Sequence, residues 1–247
     1  MTQGPKVLTI DLETSPALVW TWSLWKPVIG IEQVEEPTRM ICFTAAWETG
    51  KVMFHSEWTD GTENMLDALY ALLSEADVVQ HWNGTSFDEP HIRRELLEAG
   101  YPPLPPFKTV DLMQWVKKNT RFLSNKLDWV SARLLADRKK KHEGFTLWLK
   151  VLRGDPAAQK RMELYAKQDT ALTRRLGQKL RPYIASFPHA GLYIDTDKVI
   201  CPCGSDNLEK RGTYKAKVFK YQRYCCRDCG KWSKGRKNVG AATTVGV

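Results

Sequence analysis

Val7-Leu8-Thr9-Ile10 runs directly into Asp11-Leu12-Glu13. The apolar, β-branched run predicts a short buried strand over residues 6–11. Asp11 and Glu13 are two apart, so on a strand they share a face. Two carboxylates side by side at the end of a buried strand repel each other unless a cation lies between them. The alternative is a pair of exposed strand-end acids. With 28 acids in 247 residues, about three such triplets are expected by chance, so the pair gains its meaning from what surrounds it.

Further strands are predicted over residues 39–47 and 51–55, with Glu48-Thr49-Gly50 as the turn between them, in antiparallel hairpin pairs with the first. Thr62-Glu63-Asn64 opens a helix carrying Met65, Leu66, Leu69, Leu72 and Leu73 on one face. Residues 77–82 read as a fourth strand and 88–99 as a helix ending at Gly100. The proline-rich stretch 101–106 is a stiff connector. A fifth strand follows near 107–111, then helices near 111–118 and 126–136. Asp155-Pro156 is a helix start, with Asp as N-cap and Pro at the first helical position, and helical pattern runs to about residue 180. Hairpins first and strand–helix alternation afterwards predict an α/β fold: a five-stranded mixed sheet flanked by helices.

Two later motifs join the first. Asn83-Gly84-Thr85-Ser86-Phe87-Asp88 follows the fourth strand; Phe87 is expected to anchor the next helix in the core while Asp88 faces a cleft. Asp88 also suits a plain N-cap, and the two roles are compatible. Tyr165-Ala166-Lys167-Gln168-Asp169 places Tyr165 and Asp169 on one helix face; alone, it reads as an amphipathic helix with a half-buried tyrosine. Taken together, Asp11, Glu13, Asp88 and Asp169 with Tyr165 meet the needs of two-metal phosphodiester cleavage. Hard Mg²⁺ or Mn²⁺ takes oxygen ligands, and paired ions clamp the attacking and leaving oxygens.

The net charge of +9 is uneven. Residues 198–247 hold 12 Lys+Arg against 3 Asp+Glu, while residues 1–197 hold 25 of each. Aromatics (Tyr214, Phe219, Tyr221, Tyr224, Trp232) interleave the C-terminal cations. That pattern suits contact with nucleic acid better than a merely solvated tail. No run reaches membrane-spanning length and no secretory apolar region follows Met1–Lys6, so a cytoplasmic protein with reduced thiols is expected. Cys42 stands alone in an apolar run, as a small core residue. Cys201, Cys203, Cys225, Cys226 and Cys229 crowd together, which in a reducing compartment argues for metal. Cys201-Pro202-Cys203-Gly204 and Cys226-Arg227-Asp228-Cys229-Gly230 read as two knuckles offering four thiolates to Zn²⁺. Cys225 is the spare, since Cys226 has the C-x-x-C spacing to Cys229. Trp82, directly before Asn83, receives no role from the residues alone. The basic run Arg138-Lys139-Lys140-Lys141 fits a phosphate contact and a solvated face equally.

Jointly, the three acidic motifs resemble those of the DEDD superfamily of 3′–5′ exonucleases, in the tyrosine subclass that includes proofreading domains of DNA polymerases. The resemblance covers roughly residues 5–185. Leu8–Pro16 with the NG-x-x-FD motif and the cysteine module is also similar to stand-alone phage and bacterial exonuclease-like proteins. The resemblance implies an RNase H-like fold and cleavage of single-stranded 3′ ends, DNA favoured. It implies Asp11 bridging two ions, Glu13 and Asp169 completing one site, Asp88 holding the other directly or through water, and Tyr165 orienting the nucleophile. The cysteine segment resembles a zinc ribbon, whose knuckles usually read C-P-x-C-G; the first knuckle here is one residue shorter. The expected organisation is an exonuclease domain (1–186), a linker (187–197), a zinc-ribbon module (198–236) and a disordered tail (237–247). The host cytoplasm is the expected location if the chain is phage-encoded, and a replication or repair partner protein is left unidentified. The rival functions are a structure-selective endonuclease or RNase on the same fold, and a nucleic-acid-binding module that has lost catalysis.

Overall fold

The computed structural model describes residues 4–137 and 143–245; the basic run 138–141 falls outside them. The chain divides into two compact units, residues 7–178 and residues 179–245 with 4–6.

The larger unit runs β1 (Val7–Thr14), β2 (Leu18–Val19), β3 (Val34–Glu36), β4 (Met40–Trp47), β5 (Met53–Ser56), α1 (Thr62–Glu75), β6 (Val78–His81), α2 (Asp88–Glu98), β7 (Lys108–Asp111), α3 (Leu112–Asn119), α4 (Leu127–Leu135), α5 (Phe145–Leu152) and α6 (Pro156–Leu180). Its sheet has the order β5-β4-β1-β6-β7. β5, β4 and β1 pair antiparallel, while β1, β6 and β7 pair parallel. The short turn after β4 permits only antiparallel return, whereas α1 and α2 supply the crossovers that parallel pairing needs. The mixed five-stranded sheet flanked by helices is the one the sequence predicts. A second pairing, β2 with β3, brackets the Trp-rich segment, whose Trp22 and Trp25 are exposed.

Alternation along β1 divides the sheet into two faces. Leu8, Ile10 and Leu12 pack with Met65, Leu66, Leu69 and Leu73 of α1 and with Ile92 and Leu96 of α2. Full burial of each such side chain stabilises the fold by about 1.5–3 kcal/mol. Thr9, Asp11 and Glu13 look the other way, toward α6. There Ile41 and Cys42 meet Leu147 and Val151 of α5 and Ala158 and Met162 of α6. Thr170 and Gly177 seat α6 on this face. Thr44 Oγ1 and Thr170 Oγ1 are 2.6 Å apart. Gly177 lies so close to β6 that a Cβ there would come within 2.4 Å of Gln80 Oε1, while Gln80 donates to Thr9 Oγ1 at 2.7 Å.

Four local expectations are corrected. β1 continues to Thr14, so Asp11 and Glu13 lie within the strand; pairing with β4 carries it on. Phe87 is 39% exposed and packs edge-on against His91, 4.9 Å away; Ile92 and Leu96, one helical period apart, anchor α2 instead. α5 has no counterpart in the sequence reading, because Phe145-Thr146-Leu147-Trp148-Leu149-Lys150-Val151-Leu152 is apolar almost throughout and, at eight residues, too short for its pattern to separate helix from strand. The fourth correction lies in the smaller unit. Here 3-10 turns span Arg181–Tyr183 and Ala190–Leu192, followed by β8 (Leu208–Ala216), β9 (Phe219–Cys226) and β10 (Trp232–Ala241), paired antiparallel in the order β10-β9-β8. A 3-10 turn at Ala190–Leu192 thus falls inside the stretch expected as a linker, and β10 runs on to Ala241, inside the stretch expected as a disordered tail. Backbone pairing supplies what their composition does not: Ala190 N donates to Pro202 O at 3.0 Å and Ala242 N to Val218 O at 2.7 Å. Among the described residues, no helix is long and apolar enough to cross a membrane.

Candidate active site and cysteine cluster

β1 outruns its parallel neighbour. Pairing with β6 ends at Thr9–Gln80 while β1 continues to Thr14. The N–H of Leu12, between Asp11 and Glu13, donates instead to Asp88 Oδ1 at 3.1 Å. Asp88 is thus the first residue of α2 with its carboxyl spent on β1, not a plain N-cap. It is 2% exposed. Burial pushes its pKa up to about 6, against the pull of the His81 ring and the N–H groups of Leu12 and Asp88 itself.

On the opposite edge of β1, Asp11 pairs with Thr44 and Glu13 with Cys42 of β4. The register slips just after Glu13, a bulge of the kind that re-aims side chains at strand ends. Cys42 is fully buried, as expected of a core residue. Burial, then the charges of Glu13 and Asp11, push its thiol well up. From α6, Asp169 is buried, one residue before the Thr170 that touches Thr44. Tyr165 hydrogen-bonds Asp169, one turn away. Burial first, then the negative charges of Glu13, Asp169 and Asp11, hold its phenol far above the ordinary range, so it stays protonated as a donor. Trp148 of α5 packs edge-on against Tyr165 at 6.3 Å. Tyr165, Asp169, Asp11 and Glu13 therefore meet on the α6 side of the sheet, and Asp88 reaches the same stretch of β1 from α2.

The turn that delivers Asp88 is held by residues to which the sequence reading assigns no role. Asp111, at the junction of β7 and α3, accepts from Asn83 N (3.1 Å) and Thr85 N (3.2 Å) and also caps α3 through Gln114 N (3.0 Å). His81 Nδ1 accepts from Gly84 N at 2.9 Å. A backbone N–H can only donate, so the ring proton sits on Nε2 and is given to Glu89 Oε1 at 3.0 Å. That bond, ahead of the opposing effect of burial, holds the Glu89 carboxyl below its usual range. A Cβ at residue 84 would strike the His81 ring at 2.3 Å, which explains the glycine. Trp82 Nε1 donates to Asn125 O at 3.1 Å, tying the same turn to the segment before α4. An Asp at a strand–helix junction was the one signal that could have revealed Asp111.

In the smaller unit, Cys201, Cys203, Cys226 and Cys229 bring their sulfurs within 4.8 Å of one another. Two turns do this. Cys201 N donates to Ser205 O and Gly204 N to Cys201 O; Cys226 N donates to Lys231 O and Gly230 N to Cys226 O. The shorter first knuckle closes one residue earlier and still delivers Cys203. Cys201 and Cys229 sulfurs are 3.6 Å apart and those of Cys203 and Cys226 3.8 Å. All four cysteines are free. A tetrahedron with arms of ~2.3 Å has an edge of about 3.8 Å, so the spacing suits four thiolates on one ion. Burial opposes ionisation of Cys226, but the N–H groups of Cys229 and Asp228 and the Ser205 side chain bring it down to about 7. Cys225 lies outside the group, paired with Trp232 across β9 and β10.

No curated protein matches the chain. Among solved structures, the family B DNA polymerase from the hyperthermophilic archaeon Pyrobaculum calidifontis is similar, with a TM-score of 0.55 and 17% identity. The match covers 73% of this chain and 25% of the polymerase, a likeness of fold in which this chain spans about a quarter of its relative. The RNase_H superfamily profile matches residues 31–181, from just before β3 to just past α6. With more than half of the chain inside that profile, the chain belongs to the RNase_H superfamily.

Proposed function

We propose that the protein is a divalent-metal-dependent 3′–5′ exonuclease acting on single-stranded ends, DNA favoured. The observation that carries this reading is the meeting of Asp11 and Glu13 with Asp169 and Tyr165 on one face of the sheet, with Asp88 bonded to the amide between the first two. The donor set is all oxygen, which suits Mg²⁺ or Mn²⁺. Asp88, costly to ionise where it is buried, is a carboxyl that a cation would hold charged. When bound, two such ions activate water and neutralise charge on the leaving oxygen. Asp11, Glu13, Asp169 and Asp88 would hold these ions through their carboxylate oxygens. Tyr165, kept protonated by its acidic neighbours, donates a hydrogen bond that orients the attacking water. The cysteine cluster is assigned one structural Zn²⁺, and the acidic site carries the chemistry.

Digestion of 3′- and 5′-labelled DNA and RNA, with and without Mn²⁺, tests the reading. Metal-dependent release of mononucleotides from free 3′ ends is expected. Cleavage of 3′-blocked strands would favour an endonuclease, preference for RNA an RNase, and no release at all would leave a binding module.

A further inference from the structure

One face of the β8–β9–β10 sheet carries four aromatic rings, Tyr214, Phe219, Tyr221 and Trp232, together with the cations Arg223 and Lys234. Tyr214 of β8 lies directly opposite Tyr221 of β9, so both rings share a face. Phe219, Arg223 and Cys225 follow on that face of β9 by alternation. Across the other ladder, Lys234 pairs with Arg223 and Trp232 with Cys225, which puts both on the same side. Tyr224 and the ligand Cys226 point to the opposite side.

The face is internally organised. Lys234 Nζ sits 4.5 Å from the Tyr221 ring centroid and 4.9 Å from that of Tyr214. Arg223 lies 4.7 Å over the Trp232 ring and is itself tethered, donating to Arg211 O at 2.9 Å. Phe219 meets Tyr221 edge-on at 6.5 Å. The cations thus hold the rings in place without covering them. Tyr214 is 46% exposed, Phe219 41% and Trp232 49%. Three large rings open to water in so small a unit are an apolar surface that calls for a ligand.

Charge narrows the ligand. Residues 198–247 carry 12 cations against 3 acids, so a polyanion is favoured. A polyanion that also offers flat apolar faces is a nucleic acid with unpaired bases, since a duplex hides those faces in its stack. We infer that this sheet face binds single-stranded nucleic acid, its bases stacking on Tyr214, Phe219 and Trp232 and its phosphates meeting Arg223 and Lys234. The choice of nucleic acid rests on the nuclease reading above; the face itself does not. It is a binding site built from residues other than the acidic ones, able to hold strand without cutting it.

The test uses the full-length zinc-bound protein without added Mg²⁺ or Mn²⁺. Fluorescence anisotropy follows binding of labelled oligo-dT and of an abasic strand of equal length. Tyr214→Ala and Trp232→Ala should each weaken oligo-dT binding by about tenfold or more, with the salt dependence unchanged and abasic binding unaffected. Arg223→Gln and Lys234→Gln should instead flatten the log–log salt slope by about 0.7 for each phosphate no longer neutralised. Tyr214→Phe and Trp232→Phe keep the rings and should restore affinity, and zinc content confirms that each variant is folded. Ring-deleted variants that bind oligo-dT like the parent, or that lose abasic binding equally, would overturn the stacking site. Mn²⁺-dependent hydrolysis of a small chromogenic nucleotide ester, too short to need the face, reports the nuclease reading separately: either can fail alone.

Discussion

The donors of the acidic site come from β1, α2 and α6, whereas those of the cysteine cluster come from two turns that together span residues 201–230. Both regions gather groups that repel one another when ionised. In the cysteine cluster, two local turns are brought together by the β8–β9 pairing over a short span of chain, and the four sulfurs lie within 4.8 Å of one another. In the acidic site the gathering is tertiary: α6 is held to the sheet through Thr170–Thr44 and Gly177–Gln80, and the Asp88 turn is held by Asp111 and His81. A set of four soft thiolates suits a structural Zn²⁺, and a set of hard oxygen donors suits Mg²⁺ or Mn²⁺.

The largest effect should come from breaking the cysteine cluster. Cys226→Ser or Cys229→Ser removes one of four thiolates from a unit with little other core, and structural zinc contributes roughly 10–16 kcal/mol in small modules. Zinc should be lost and the β8–β10 sheet should melt, whereas Cys225→Ser should retain zinc at one equivalent by elemental measurement. A zinc-free preparation with reduced, intact cysteines, even after reconstitution, would break the contrast.

Next comes the acidic site. Asp11→Ala or Asp169→Ala should lower metal-dependent nucleotide release by at least about a thousandfold, because each deletes an assigned metal ligand. Folding should persist, since one fewer clustered carboxylate relieves repulsion, and zinc content should not change. Tyr165→Phe should be milder. Near-normal release by Asp11→Ala would remove the acidic site from the chemistry.

Asp111→Ala sharpens the claim that tertiary holding is what matters. It deletes the acceptor of two turn N–H groups and of the α3 cap, so thermal or denaturant unfolding should show a loss of about 1–3 kcal/mol. Release should fall as well, because the turn delivering Asp88 is loosened. Unchanged stability would show that Asp88 is placed by α2 alone.

The smallest effect is a pH signature. The folded pKa of Asp88, about 6, stands above its ordinary value of 3.8. Between those values the folded chain holds a proton that the unfolded chain has lost, so stability falls as pH rises through the window. Asp88→Asn keeps an acceptor for the Leu12 N–H and removes the charge. Without divalent ions, its melting temperature should exceed that of the parent above pH 6 and converge with it near pH 4. Parallel curves would mean that Asp88 ionises there without cost.

Much of the fold was legible because its signals are local. The apolar run before Asp11, the Asn83-Gly84 turn and the Asp155-Pro156 start each name an element by chemistry that acts over a few residues. The misses share a cause. Phe87 and α5 are apolar by sequence, yet which of them is buried depends on what packs opposite: Ile41 and Cys42 cover Leu147 and Val151 of α5, while Phe87 stays 39% exposed beside His91. β10 beyond residue 236 has no strand-like pattern and exists through its pairing with β9.

The sequence by itself determined which residue types were available and at what spacing. Asp11 and Glu13 had to share a strand face, Tyr165 and Asp169 a helix face, and four cysteines a pair of knuckles, because backbone periodicity and turn geometry act over a few residues. Only the tertiary structure decided which faces met. The even residues of β1 turn to α1 and α2 and the odd ones to α6. Asp88 gives its carboxyl to Leu12 instead of capping its own helix. A histidine and an aspartate with no motif of their own hold the turn. These outcomes depend on long-range packing and on where a strand outruns its neighbour, which no local pattern encodes.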